Sequence, residues 1–276
     1  MNIGIIGLGL MGGSLGLALK KIPKKYTLIG HDHNPTHTSD ALRLNLVDKV
    51  SNDFNEIKNC DVIILTIPVD AIIATAQKLK DIHPNCTIID FGSSKEKISE
   101  NIPKKIRQNF ITAHPMTGTE KFGPSAAVEG LYSEKTMVIC DIEKSADYQK
   151  GVAISLFKDI HAKIVFMDAK EHDRHAAFIS HMPHAVSYAL AQSVMKQEDP
   201  KSIIALAGGG FKSMSRIAKS SPNMWEDIFR QNKENLLQSI TAFNLEMMHC
   251  QTLIQEERWN ELHQWITEAN KLHDIL

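Results

Sequence analysis

The sequence predicts an α/β chain: a doubly wound, mostly parallel sheet followed by an all-α C-terminal domain. Three observations carry this expectation. A short apolar run at the N-terminus breaks into Gly7-x-Gly9-x-x-Gly12 and resumes as an apolar helical segment. Apolar strand-like runs then alternate with helical segments up to residue 168, the pattern of a parallel sheet with right-handed crossovers. After Asp168 no strand pattern remains, and long amphipathic segments take over. The division expected is therefore 1–168 for a dinucleotide-binding domain and 169–276 for a helical domain.

The opening turn is the first element to justify. A strand over Ile3, Ile5 and Ile6 must turn sharply into a helix, here expected over 13–21. A diphosphate can sit on that helix N-terminus, where unpaired N–H groups point outward. Gly7 permits the turn, Gly9 the close approach of phosphate, and Gly12 the close contact of helix and strand. Gly7, Gly9, Leu10, Met11 and Gly12 are thus the candidate cofactor contacts of a Rossmann-type fold. The second strand, 26–31, delivers Asp32 about twenty positions on, where a carboxylate accepts the ribose diol of an adenosine. The same carboxylate repels a 2′-phosphate, and His33-Asn34-Pro35 offers no arginine to attract one. NAD is preferred to NADP on that ground. Asp32 can alternatively act as a helix N-cap ahead of Pro35.

The remaining strands are read over 61–68, 87–91, 110–114, 135–140 and 163–167, with helices over 69–79 and 145–160. The first of these runs is apolar throughout, as a strand buried on both faces requires. Helices are expected over 171–196, over 200–220 with a glycine-rich interruption, and over 223–249 and 252–272.

Composition narrows the function classes. The chain has 276 residues, 43% hydrophobic and 23% charged, as in ordinary globular proteins. A net charge of −1 gives no electrostatic case for nucleic acid or an anionic membrane. Four scattered cysteines with no CxxC fit a reducing cytoplasm and no zinc site. The glycine-interrupted N-terminus lacks the form of a signal peptide, and no run approaches the ~18 apolar residues of a membrane helix. Thirteen histidines decide nothing by number, but His172, His175, His181 and His184 cluster within thirteen positions.

In an open α/β sheet, ligands bind beyond the carboxyl ends of the strands. Gly92-Ser93-Ser94-Lys95 and His114-Pro115 occupy two such ends. Ser93 reads equally as a helix N-cap, with Glu96 completing a capping box. His114 reads as a base that takes a hydroxyl proton as hydride departs. The run 117–123, TGTEKFG, has no hydrophobic periodicity and reads as a functional loop. In the helical part, Ser180 and His184 share a helix face, and Pro183 is expected to kink or loosen the helix beside them. A metal on His181 and His184 is not favoured, because no carboxylate or cysteine stands at ligand spacing. Lys212 and Arg216 share a face after Gly208-Gly209-Gly210 and can clamp carboxylates, or simply be a solvated basic surface.

Taken together, GLGLMGGS (7–14), DFGSSKE (90–96), AHPMTGTEKFG (113–123), SHMPHAVSYAL (180–190) and GGGFKSMSRIAKSSPNMW (208–225) resemble the prephenate/arogenate dehydrogenase family over nearly the whole chain. The resemblance implies NAD(P)⁺-dependent oxidative decarboxylation of prephenate to 4-hydroxyphenylpyruvate, or of arogenate to tyrosine, by a homodimer joined through the helical domain. It implies that His114 accepts the hydrogen bond of the ring hydroxyl and that Ser93 bonds both His114 and that hydroxyl. It also implies that Thr119, Ser180 and His184 line the substrate pocket, with Arg216 holding a substrate carboxylate. Glu120 and Lys121 belong to the same loop, where Glu120 can sense the charge of the substrate side chain. Lys212 departs from the family's frequent arginine and loses bidentate geometry. Prephenate is the preferred substrate and no metal is required. The competing readings are an arogenate dehydrogenase, a β-hydroxyacid dehydrogenase and a non-catalytic NAD sensor. The second would place a lysine at the centre; the third leaves Ser93, His114, His184 and Arg216 without a shared purpose.

Overall fold

A computed structural model describes residues 1–23 and 25–275 of the chain. Eight strands form one sheet: β1 (Asn2–Ile6), β2 (Thr27–His31), β3 (Lys49–Val50), β4 (Val62–Leu65), β5 (Thr87–Asp90), β6 (Phe110–Pro115), β7 (Thr136–Cys140) and β8 (Lys163–Met167). Their order is β3-β2-β1-β4-β5-β6-β7-β8, and all neighbours run parallel except β6 and β7. The centre of the sheet is apolar on both faces because helices cover both. Alternate residues of β1 and β4 serve opposite cores. Ile3, Ile5, Val62 and Ile64 pack with Leu15, Leu19 and Phe157, whereas Ile6, Ile63 and Leu65 pack with Ile72, Ala76 and Phe110. Period-two alternation between two buried faces is what a doubly wound sheet demands.

The strand expectations hold to within a few residues at their ends. Several shorter elements went unread, namely helices Pro35–Arg43, Phe54–Lys58 and Glu96–Asn101 and strand β3. The first helix begins at Leu10 rather than at residue 13, because its glycines sit inside the first turns instead of before them. Asn34, not Asp32, caps helix Pro35–Arg43 by accepting from Thr36 N–H.

From Ala169 onward every regular element is helical. Helix Ala169–Ala176 runs through a π-turn, Ala177–His181, into helix Met182–Gln197. The helix expected over 200–220 resolves into Pro200–Leu206, Gly209–Ser215 and a 3₁₀ turn, Arg216–Lys219. The segment 223–249 is two helices, Pro222–Gln231 and Lys233–Gln255, divided at Asn232. The last helix is Trp259–Asn270, later than expected, because Glu257 takes a left-handed φ of 55° and ends the preceding one. Among the described residues no helix is long and apolar enough to cross a membrane.

Candidate active site

The glycine turn has the geometry its spacing predicts. Gly7 adopts φ +96°, and a Cβ there would lie 2.6 Å from the carbonyl oxygen of Thr66. A Cβ on Gly12 would lie 2.0 Å from the Gly7 carbonyl oxygen, so helix and strand meet at a distance only glycine allows. A Cβ on Gly9 would meet open space. Gly9 also caps helix Leu10–Lys20 without any side-chain acceptor, so the amide end of the helix is left to an outside anion. Leu10 and Met11 form the half-buried first turn.

Asp32 closes the cradle. Its Oδ2 accepts from Leu8 N–H at 2.8 Å and lies 3.2 Å from His37 Nδ1, and its Oδ1 accepts from Asn34 N–H at 2.8 Å. Burial pushes this carboxyl up, but the two backbone donors and His37 outweigh it and keep the group ionised. An ionised carboxylate with acceptor capacity left on Oδ1, beside a bare helix end, fits a dinucleotide diphosphate and its ribose. Loop residues brace this helix: Tyr132 Oη donates to the Met11 carbonyl at 2.6 Å, and Val128 N–H donates to Ser14 Oγ at 2.9 Å.

Beyond β4 and β5, β6 carries His114 to its carboxyl end. His114 Nδ1 lies 2.8 Å from His172 Nε2, and His172 Nδ1 lies 2.7 Å from Asp173 Oδ1. Asp173 also accepts two backbone N–H groups, those of Lys95 at 2.7 Å and Glu96 at 3.0 Å. Beneath them Lys95, wholly buried, is bonded to Asp90 and donates to the Ala113 carbonyl at 2.7 Å. Burial, and after it His172, Lys95 and His181, hold the His114 imidazole well below its ordinary range, so it is neutral at pH 7. His114 Nε2 has no protein partner among the described residues.

The helical region supplies an aromatic wall. The Trp225 indole stacks on His184, with ring centroids 3.5 Å apart and planes 23° from parallel. His184 Nδ1–H donates to the Ser180 carbonyl at 2.9 Å, which leaves Nε2 as an acceptor. Burial, and less strongly the charge of Arg216, lowers the His184 pKa against the opposing bond to Ser180. His181, beside Trp225, accepts at Nδ1 from the Asn232 amide at 3.2 Å and is pushed down to about 4 by burial. Pro183 produces no break here. The π-turn just before it absorbs the missing N–H within a continuous helix.

Two expectations need revision. Ser93 is half-buried on the turn after β5 and makes no side-chain hydrogen bond among the described residues; the partner of His114 is His172. No capping box forms at Ser93 and Glu96. Helix Glu96–Asn101 starts after Lys95 without a local cap, and the carboxylate of Asp173 takes its first N–H groups from another helix. Lys212 lies in helix Gly209–Ser215 and Arg216 begins the 3₁₀ turn, both exposed and neither in an ion pair among the described residues. In the 117–123 loop, Thr119 and Glu120 are half-buried and Lys121 is exposed, its N–H donating to Thr119 Oγ1 at 3.2 Å.

Sequence reasoning singled out His172 only as one of a cluster, named Lys95 only within the run after the strand at 87–91, and gave Asp173, Asp90 and Trp225 no role. A signal was available in the adjacent His172-Asp173 pair directly after the sheet ends, where a buried polar pair would face the strand tips.

Comparison with known proteins agrees with this geometry. Residues 15–166 match the family described as prephenate dehydrogenase, nucleotide-binding domain, and residues 168–268 match prephenate dehydrogenase, dimerization domain. The prephenate dehydrogenase of Bacillus subtilis (strain 168) is 30% identical, over 99% of this chain and 75% of that protein. A cyclohexadienyl dehydrogenase of Zymomonas mobilis is 28% identical, over 98% of this chain and 94% of that protein. Among solved structures, prephenate dehydrogenase from A. aeolicus in complex with hydroxyphenyl propionate and NAD⁺ superposes with a TM-score of 0.92 at 31% identity, covering 100% of this chain and 98% of that one. Synechocystis arogenate dehydrogenase gives 0.82 at 29% identity, covering 99% of each. With both halves matched in order and a relative at 30% identity spanning the chain, this protein belongs to the prephenate dehydrogenase family.

Proposed function

We infer that the chain converts prephenate to 4-hydroxyphenylpyruvate and CO₂ with NAD⁺ as oxidant. The observation that carries this reading is a neutral His114 imidazole at a strand end, on a sheet whose opening turn fits a dinucleotide. NAD⁺, when bound, takes up the hydride from the ring carbon that bears the hydroxyl. His114 Nε2 accepts the hydrogen bond of that hydroxyl and draws off its proton as the hydride leaves. Loss of CO₂ then rearomatises the ring, and His114 returns the proton to the phenolate oxygen, so no net proton is released. The driving force lies in the substrate. The residues need only align the carbinol carbon, polarise its oxygen and hold the carboxylates.

On this reading Ser93 faces the same hydroxyl, and Thr119, Ser180 and His184 line the pocket. Arg216 holds a carboxylate, Glu120 and Lys121 border the side-chain end, and Lys212 adds positive charge. Residues 1–168 bind the cofactor through Gly7, Gly9, Leu10, Met11, Gly12, Ser93 and Asp32, and residues 169–276 bind substrate and pair two subunits into a homodimer. The exposed Ile204, Leu206, Leu245 and Met248 on those helices support the pairing. Three buried free cysteines fit a cytoplasmic site. An arogenate preference is the second reading, and the cyclohexadienyl and arogenate dehydrogenase relatives are compatible with it. NADH formation with prephenate, arogenate and simple hydroxy acids, each with NAD⁺ and NADP⁺, tests the reading. Turnover confined to hydroxy acids would end it.

A further inference from the structure

We propose that His172 and Asp173 are positioning residues that fix the tautomer of His114, so that its Nε2 presents a lone pair to the substrate. Two backbone donors fix the direction of the whole chain of contacts. The backbone N–H groups of Lys95 and Glu96 both donate to the Asp173 carboxylate, at 2.7 and 3.0 Å. Asp173 is therefore an acceptor, and the His172 Nδ1 it contacts at 2.7 Å must carry a hydrogen. In the neutral form of His172 that is its single proton, and Nε2 offers only a lone pair. His114 Nδ1, 2.8 Å away, must in turn donate to it. Nε2 of His114 is then unprotonated, as a base acting on a hydroxyl requires. When that nitrogen takes the proton, His114 becomes an imidazolium whose Nδ1–H still points at His172. The Asp173 carboxylate then sits one ring away to offset the new charge.

The arrangement crosses the fold. His114 belongs to β6 of the sheet, whereas His172 and Asp173 stand on helix Ala169–Ala176, the first helix after it. Asn232 fastens that helix from the far side, donating to the Asp173 carbonyl at 2.6 Å. The charged and titratable groups facing His114 are His172 and Asp173 on this helix, His181 on the π-turn, and the Lys95–Asp90 pair at the end of β5. The base is thus completed by a residue pair from the helical region, and its tautomer depends on how that region docks.

The proposal rests on His114 being the base, and its test separates the two claims. In protein with ¹⁵N-labelled histidine, the His114 signals, assigned by their loss in H114N, should show a protonated Nδ1 and an unprotonated Nε2. This readout needs no substrate, so it stands whichever substrate turns over. In D173N the negative charge that offsets the His114 imidazolium is lost, and the amide has an acceptor for only one of the two sides held by the Lys95 and Glu96 N–H groups. Its kcat should fall by about 10²–10⁴-fold, with NAD⁺ affinity kept. H172Q, whose carbonyl can still accept from His114, should retain at least about tenfold more kcat than H172F. If D173N fails to fold, the wild-type spectrum and the Gln/Phe pair still decide. A His114 protonated at Nε2 in the wild type, a folded D173N with unchanged kcat, or equal losses in H172Q and H172F would overturn the assignment.

Discussion

Lys95 and Asp90 form an ion pair with both side chains wholly buried, and the same ammonium donates to the Ala113 carbonyl next to His114. Burial pushes the Asp90 carboxyl up while Lys95 pulls it back down. The pair joins the tip of β5 to the strand that carries the base. Removing one member leaves an uncompensated buried charge, a loss of about 3–5 kcal/mol. Lys95→Met should therefore lower the denaturant midpoint sharply, and Asp90→Asn in the same chain should restore part of it. Equal midpoints for wild type and Lys95→Met would remove the pair from the account.

His114→Asn should leave NAD⁺ affinity within about twofold, because His114 is not part of the glycine cradle. Its kcat should fall by roughly 10²–10⁴-fold, the span of one general base. Steady-state kinetics with a separate cofactor titration measures both. An unchanged kcat would sink the assignment of His114.

Arg216→Ala tests the other end of the substrate. Arg216 is exposed and unpaired among the described residues, and its charge lowers the His184 pKa. Loss of one charge-assisted contact corresponds to about 10–100-fold in affinity. The KM for prephenate should rise by that factor with NAD⁺ binding little altered. Equal loss of both would indicate a disturbed fold.

Stability should depend on pH through the buried histidines. His181 is held at about 4 in the fold, against the ordinary 6.5 of an unfolded chain. Above pH ~6.5 neither state carries the proton, and the group contributes no pH dependence. Below it the unfolded chain binds a proton that the folded one refuses, so stability falls as pH drops towards about 4, by at most about 3 kcal/mol. His114, also lowered, acts in the same direction. Urea midpoints between about pH 7.5 and pH 4.5 should decline, and His181→Gln should flatten the decline. A midpoint that rises on acidification would contradict this.

The parts of the fold legible in the sequence were those written in local pattern. Apolar runs of four to six residues located the central strands, since burial on both faces leaves no polar positions to confuse them. Gly7 and Gly12 were legible because only glycine satisfies the contacts there, and Gly9 by its spacing between them. Helix Glu96–Asn101 was not, because its cap, Asp173, comes from a segment 77 residues away rather than from its own first turn. The division at Asn232 was hidden for the same reason, since its amide is committed to Asp173 and His181 across the fold. His114 was visible at the end of its strand, but its partner was misread. Ser93 lay near in sequence logic, while His172 is placed by tertiary packing alone.

The most direct measurement of the central claim is the stoichiometry of NADH and CO₂ released from prephenate by the purified chain. One of each per prephenate consumed is expected, with 4-hydroxyphenylpyruvate as product and turnover collapsing in H114N. NADH without CO₂, or no NADH from either prephenate or arogenate, would contradict it.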